Sequence, residues 1–202
     1  MIIRLEKENE HREVQNLIRD SFWNVYRPGC SEHYIAHVLR NDPDFVSELN
    51  LVLEKEDRII GQVMFMKNIL HTNHGHLPIL TMGPICIHPD YKRQGFGQYL
   101  LDHALSKAKE LGYGAVFIEG NIDFYKHCGF EYASQYHIQY EDMPGNEETP
   151  FFLCCILKEG YLDHLSGIYR VPHAYYVQEE DVEKFDESFP YKRKLKLPGQ
   201  LF

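Results

Sequence analysis

The sequence predicts a mixed α/β (α+β) domain, with a sheet of about six to seven strands flanked by helices. The chain has 202 residues, the length of one domain with a modest extension. Its apolar residues make up 44% of the composition and its aromatic residues 13%, which is typical of a globular protein. The apolar period changes repeatedly between strand-like and helix-like along the chain, which favours one mixed domain over separate bundles.

The first quarter of the chain predicts one strand and two helices. Residues 1–5 form the strand, and residues 8–23 form a helix with one apolar face. Ser31 begins a second helix, which ends in the Asn-Asp-Pro-Asp sequence of residues 41–44.

A long hairpin and a third strand follow. Residues 49–54 and 59–70 predict two strands joined at a turn near Glu56. Gly61 within the second strand indicates a bulge or a close contact. The third strand covers residues 77–88 and ends before a Pro-Asp pair.

The segment between the last two strands contains three histidines, His71, His74 and His76. Imidazole is a common metal ligand, so a metal site is one interpretation. The segment contains no carboxylate or cysteine, and a hairpin tip is naturally polar. A solvated loop is therefore the simpler interpretation, and no metal is expected.

A basic, glycine-rich loop joins the third strand to a helix that ends near Leu111, before Gly112. Glycines at the start of a helix let backbone N–H groups approach an anion such as a pyrophosphate. Lys92 and Arg93 would add formal charge. Gly95 and Gly97 match neither the dinucleotide GxGxxG motif nor the Walker loop, so tight packing of helix on strand is the alternative.

Charge and cysteine usage exclude several classes of protein. The formal net charge of −9 makes a nucleic-acid partner unlikely to bind, because affinity for phosphate backbones comes from Lys and Arg. The five cysteines show no CxxC spacing and predict reduced thiols. The sequence shows neither a signal peptide nor an apolar run of about 20 residues, so a soluble, cytoplasmic protein without a membrane partner is expected.

Two motifs in this order resemble those of the GCN5-related N-acetyltransferase (GNAT) superfamily. The run from Lys92 to Gly97 is similar to the Gln/Arg-x-x-Gly-x-Gly/Ala loop that binds the pyrophosphate of acetyl-coenzyme A, although Lys92 replaces the usual Gln or Arg. Residues 124–130 match the family's Tyr-x-x-x-Gly-Phe element. The resemblance covers residues 1–157 and extends to a group of predicted bacterial acetyltransferases whose substrates are mostly unassigned.

The resemblance implies that acetyl-CoA is the cosubstrate and enters where two parallel strands splay apart. It implies that the backbone of Ile85 and Ile87 pairs with the pantetheine arm while the side chain of Cys86 faces the other way. The ordinary alternative is a buried strand. The implied coenzyme-binding residues are Ile85, Cys86, Ile87, Lys92, Arg93, Gln94, Gly95, Phe96, Gly97, Gln98, Phe124 and Tyr125.

The resemblance also suggests two catalytic residues. Tyr125 occupies the family position whose hydroxyl reaches the coenzyme sulfur, where a phenol can act as general acid. For the general base, no carboxylate lies on the strand before the loop, and Glu119 at the end of the next strand is the first candidate. His88, His137 and a water chain from a more distant carboxylate are alternatives.

The rest of the chain, residues 158–202, is too apolar for a free tail and is expected to pack on the core, with or without forming a wall of the acceptor site. Residues 141–187 carry 12 acidic and 3 basic residues and are followed by a basic run at 192–196. This acidic stretch has two interpretations. It is either a solvated face to which the basic tail pairs, or a rim that recruits amines.

The sequence thus predicts an acetyltransferase acting on an amine, either a small molecule or a protein amino group. The alternative is a protein of the same fold that binds acyl-CoA as a sensor or adaptor without turnover. The oligomeric state stays open, with a homodimer as one option.

Overall fold

The computed structural model describes residues 1–143 and 149–201. Residues 144–148 of the acidic stretch, with Glu147 and Glu148, and Phe202 of the extension lie outside the described residues. The helices are α1 (His11–Phe22), α2 (Glu32–Leu39), α3 (Phe96–Glu110), α4 (Ile122–Tyr125) and α5 (Glu179–Asp186). The strands are β1 (Ile2–Leu5), β2 (Leu51–Lys55), β3 (Arg58–Thr72), β4 (Gly75–Ile87), β5 (Ala115–Glu119), β6 (Phe130–Tyr132), β7 (Ile138–Tyr140), β8 (Phe152–Ile156) and β9 (Gly167–Tyr169).

Within the described residues, nine strands form one mixed sheet. Seven of them lie side by side in the order β1-β2-β3-β4-β5-β8-β6, while β9 pairs with β3 and β7. The mixed α/β class is confirmed, but the sheet has two strands more than the sequence predicts. Both β7 and β9 are three residues long, too short for an alternating pattern to be recognised.

The two faces of the sheet are covered differently. Alternate strand residues point to opposite faces, so Val116 and Ile118 pack against α3 while Phe117 lies on the other face. That second face is covered by α1 and α2 over β2–β4, and by residues after β8 over β5 and β8. Leu162 and Tyr169 of this later segment are each 2% exposed.

Two glycines that the sequence singles out, Gly61 and Gly112, lie at positions that favour glycine. Gly61 lies at a register shift between β2 and β3, and a Cβ atom there would lie 2.6 Å from the Ile87 side chain. Gly112 follows α3 with φ of 91°, a conformation that favours glycine. Among the residues described, no helix has the length and apolar character needed to cross a membrane.

Candidate active site

The parallel strands β4 and β5 separate at the centre of the sheet. They pair only at Leu80 with Val116 and at Thr81 with Phe117. Beyond these pairs β4 continues to Ile87 beside β3, while β5 continues beside β8. The result is an opening between the two strands, called the β4–β5 gap below.

Backbone groups of β4 point into this gap. The His88 N–H donates to the Ile60 carbonyl over 2.8 Å, so the pair 60/88 is a hydrogen-bonded pair of the antiparallel ladder. Such pairs alternate along a ladder, and in the observed register Ile85 and Ile87 occupy the other positions. Their N–H and C=O groups therefore point away from β3, as an extended pantetheine arm would require.

The side chain of Cys86 lies on the opposite face from Ile87. Cys86 packs in the cluster of α1 and α2, whereas Ile87 packs with α3. Burial raises the pKa of the Cys86 thiol to about 12, so the group stays protonated. The side chain of Cys86 is thus part of the core, and only its backbone lies along the gap.

The glycine-rich loop leads into α3 at the end of the gap. Gly95 has φ of 83°, in the region that favours glycine, and Phe96 begins the helix. The N–H groups of Phe96, Gly97 and Gln98 have no acceptor within the helix. A Cβ atom on Gly97 would lie 3.2 Å from the ring of Phe124. These amides form a pocket of the kind that binds phosphates.

The polar side chains of the loop have specific positions. The Lys92 ammonium lies 3.3 Å from the Ser21 carbonyl, at the end of α1. The Gln94 amide donates to the Asp90 carbonyl, and the Gln98 amide donates to the His127 carbonyl. Arg93 is exposed. The Lys92 side chain therefore links the loop to the end of α1.

Tyr125 lies at the end of α4, beside the end of β5. A Cβ atom on Gly120 would lie 2.3 Å from its ring, so the phenol packs directly on the backbone after β5. Its ring also meets Phe124 and Phe130 at centroid distances of 4.8 and 5.4 Å. Burial, with the nearby Tyr26 phenol, raises the pKa of Tyr125 above its usual value. The hydroxyl is therefore protonated at neutral pH, the state that a general acid needs.

Glu119 is the last residue of β5 and is exposed. The Tyr140 hydroxyl donates to its Oε1 over 2.7 Å. Burial and this hydrogen bond raise the pKa of Tyr140, so Tyr140 keeps its proton and the carboxylate remains the acceptor. Tyr140 was not singled out by sequence, because its partner lies 21 residues away on another strand.

An acidic and aromatic surface surrounds Glu119. Tyr176 is 61% exposed, and Glu141, Glu119 and Asp142 lie close enough to add to burial in raising the pKa of its phenol. Glu141 also pairs with Arg170 at 2.7 Å. This surface, formed by residues 119, 141, 142 and 176, is called the acidic rim below.

The two histidines considered as alternative bases lie just after β4 and just before β7. The His88 ring contacts the Arg58 guanidinium at 2.9 Å and the Asp90 N–H at 3.3 Å. His137 directly precedes β7, three residues before Tyr140. Both histidines therefore stay alternatives to Glu119 as the base.

The three histidines of the hairpin tip lie at the far end of β3 and β4. The His71 and His76 rings are in edge contact, with centroids 4.8 Å apart, and His74 lies in the turn between β3 and β4. Across residues 1–143 and 149–201, no group of three or more His, Cys, Asp or Glu side chains is arranged to hold a metal ion.

The model of the acetyltransferase (GNAT) family matches residues 13–130, more than half of the chain. The protein belongs to the GNAT acetyltransferase family. The match includes the β4–β5 gap, the glycine-rich loop and Tyr125, so the resemblance inferred from the two motifs is confirmed at the level of the family.

Two further comparisons support this family assignment. A protein of Escherichia coli (strain K12) named uncharacterized N-acetyltransferase YhbS is 28% identical over 149 residues, which are 74% of this chain and 84% of that protein. The crystal structure of the Escherichia coli GNAT protein YhbS in complex with CoA has a TM-score of 0.73 and 25% identity, covering 86% of this chain and 91% of that one.

A GNAT acetyltransferase from Brucella melitensis, solved with acetyl-CoA, shows the same fold. Its TM-score is 0.68 at 18% identity, and the alignment covers 87% of this chain and 97% of that one. The GNAT fold therefore extends well beyond the segment matched by the family model.

Proposed function

We propose that this GNAT protein transfers the acetyl group of acetyl-CoA directly to an amine acceptor. The proposal rests on the β4–β5 gap, which has backbone amides of β4 along one side and the start of α3, Tyr125 and Glu119 around its open end. The Escherichia coli relative solved with CoA supports the choice of cosubstrate.

We assign the coenzyme contacts from this arrangement. The backbone of Ile85 and Ile87 would pair with the pantetheine arm, as neighbouring strands pair. The amides from Gly95 to Gln98 would bind the pyrophosphate, assisted by the charges of Lys92 and Arg93. Phe124 would cover this end of the gap through its contact with Gly97.

The acceptor amine must lose a proton before it attacks. An ordinary ammonium group has a pKa of about 10.4, so presenting the free amine at neutral pH costs about 4.6 kcal/mol. Glu119 is our proposed base because it is exposed at the end of β5 and Tyr140 orients its carboxylate. The amine nitrogen then bonds to the acetyl carbon and loses its second proton to solvent as the carbon–sulfur bond breaks. The Tyr125 hydroxyl protonates the departing thiolate, and its phenolate regains a proton from solvent.

The acidic rim favours a cationic acceptor. After burial, the carboxylates of Glu141, Glu119 and Asp142 add to the raised pKa of the exposed Tyr176 phenol, and complementary charge raises the rate of encounter with a cation. We therefore expect amines with a net positive charge, on a small molecule or a protein, to be better acceptors than neutral or acidic amines.

A thiol-release assay with acetyl-CoA over a panel of amines tests the proposal. The expected result is thiol release that depends on both acetyl-CoA and a cationic amine. The alternative, a sensor or adaptor that binds acyl-CoA without turnover, predicts saturable binding of acetyl-CoA with no acceptor-dependent release. Such a result across the panel would favour the sensor.

A further inference from the structure

The C-terminal tail, residues 193–201, lies across the loop between α1 and α2. This loop, residues 23–31, is called the α1–α2 loop below. Side chains from 193 to 199 and at 201 are exposed, and Leu195, Leu197 and Leu201 are 37%, 44% and 70% exposed. The tail therefore buries little apolar surface, and hydrogen bonds to the loop hold it in place.

Asn24 is the centre of these hydrogen bonds. Its side-chain amide donates to the Arg193 carbonyl over 3.0 Å. Its Oδ1 accepts from the N–H of Leu195 at 3.0 Å and from the N–H of Gly29 at 2.9 Å. One side chain thus joins the two ends of the loop to the tail.

Other bonds tie the tail to the same loop. The Trp23 indole N–H donates to the Arg193 carbonyl over 3.1 Å. The Gln200 amide donates to the Asn24 carbonyl over 3.0 Å, and the Leu201 N–H donates to the Tyr26 carbonyl over 2.8 Å. The tail therefore contacts the backbone of Tyr26.

The α1–α2 loop begins at the β4–β5 gap. The Ser21 hydroxyl in the last turn of α1 lies 3.2 Å from the Ile87 carbonyl oxygen, and the Ser21 carbonyl accepts from Lys92. The Tyr26 ring, 44% exposed, lies near the ring of Phe22, with centroids 6.1 Å apart. The loop therefore leaves α1 beside the end of β4, at the border of the gap.

We propose that the tail is a positioning clamp, which holds the α1–α2 loop beside the β4–β5 gap so that the loop, with Tyr26, forms a wall of the acceptor site. The proposal rests on the acetyl transfer proposed above. Residues 193–201 would act through Tyr26, without contacting the substrate themselves. Loss of the clamp would leave the backbone of β4 and the start of α3 intact, so acetyl-CoA binding would be spared.

Two variants test the clamp. One is a chain that ends at Lys192, which keeps α5 and the buried Phe189. The other is Asn24→Gly, which removes the three side-chain bonds but tolerates the positive φ of 60° at this position. Asn24→Asp retains the two acceptor bonds and should have a smaller effect. Lys196→Ala, at an exposed position of the tail, is the matched control.

We expect the KM for the amine to rise about tenfold in both test variants, with the dissociation constant for acetyl-CoA within about twofold of wild type. Trp23 is the only tryptophan of the chain, so its emission reports the docking of the tail. Emission should shift to longer wavelength in the shortened chain, because the indole loses the Arg193 carbonyl and gains water.

Three results would overturn the clamp. They are an unchanged amine KM in Asn24→Gly or in the folded shortened chain, equal weakening of amine and acetyl-CoA binding, and Trp23 emission that does not respond to removal of the tail. If the shortened chain does not fold, the amine KM of Asn24→Gly decides. A wild-type protein with no acceptor-dependent thiol release would instead contradict the proposed function itself.

Discussion

Tyr125 is the residue whose role in the transfer can be tested most cleanly. Its ring is held by Gly120, Phe124 and Phe130, and these contacts do not involve its hydroxyl. Tyr125→Phe should therefore keep the packing and remove only the proton that the thiolate receives. We expect kcat to fall about 10- to 1000-fold, with acetyl-CoA affinity within about twofold by calorimetry. Unchanged kcat would remove Tyr125 from the mechanism.

Glu119 can be tested through the pH dependence of the reaction. If its carboxylate takes the proton of the amine, Glu119→Gln should lower kcat/KM and remove the acidic limb of the pH profile. Glu131 is a matched control, because it also accepts a hydrogen bond from a tyrosine, Tyr136, but lies on β6. A wild-type acidic limb in Glu119→Gln would assign the base to another group or to water.

At the residue scale, a sequence can indicate features whose residues are close along the chain. Gly95 and Tyr125 belong to short motifs whose spacing can be recognised directly. The partnership of Glu119 with Tyr140 could not be predicted, because a hydrogen bond between strands depends on their register. The contact of Arg19 on α1 with Asp186 on α5 could not be predicted either, because the two residues are 167 positions apart along the chain.

At the scale of elements, α5 is attached to α1 and α2 by a buried charged cluster. Asp186 accepts from Arg19 at 2.6 and 2.9 Å, and the His33 Nε2 lies 3.0 Å from the same carboxylate. His33 is fully buried and Arg19 is 2% exposed. Breaking such a pair on one side leaves a buried charge without its partner, which is strongly destabilising.

This cluster makes stability depend on pH. Burial lowers the pKa of His33 from 6.5 to about 4, with Arg19 and Arg12 acting in the same direction and Asp186 opposing them. Between those values the unfolded chain binds a proton that the folded chain does not. The free energy of unfolding should therefore rise with pH across this window, by up to about 3 kcal/mol from His33 alone.

Urea unfolding of wild type and His33→Gln between pH 4 and pH 7 measures this contribution. The variant should show a smaller dependence on pH, whereas His127→Gln, at an exposed position, should follow wild type. Identical pH dependence in His33→Gln and wild type would show that His33 does not couple protonation to folding.

Helices and strands with a periodic apolar pattern could be predicted from the sequence, and those without one could not. Helix α3 was predicted to end near Leu111 and ends at Glu110, since its apolar face repeats over several turns. Helix α5 and strands β7 and β9 were not predicted, because each is short and its burial depends on contacts with distant segments. Tyr169, for example, stacks on Phe117 of β5 with centroids 5.5 Å apart.

At the scale of the whole molecule, we propose that residues 1–157 form the acetyltransferase domain and that residues 158–202 form an extension required for its folding. Leu162 and Tyr169 cover β5 and β8, and each such buried side chain contributes about 1.5–3 kcal/mol. Deleting residues 158–202 should therefore give an aggregated or unfolded protein, observed by sedimentation and circular dichroism. A soluble, cooperatively unfolding product would contradict this division.

The acidic stretch and the basic run contact each other at one described point. Lys194 of the tail pairs with Glu183 of α5, while Lys192 pairs with Asp20 of α1. These contacts agree with the interpretation of a tail paired to an acidic face. Glu141 and Asp142 of the acidic rim belong to a different part of the same stretch. The stretch can therefore both pair with the tail and recruit amines.

Product analysis distinguishes transfer of the acetyl group to an amine from binding of acetyl-CoA alone. Wild-type protein is incubated with acetyl-CoA carrying an isotopic label in the acetyl group and with the best cationic amine of the panel. We expect labelled N-acetyl product in equal amount to the released thiol, at a rate sharply reduced in Tyr125→Phe. Bound acetyl-CoA that stays intact with every amine would contradict it.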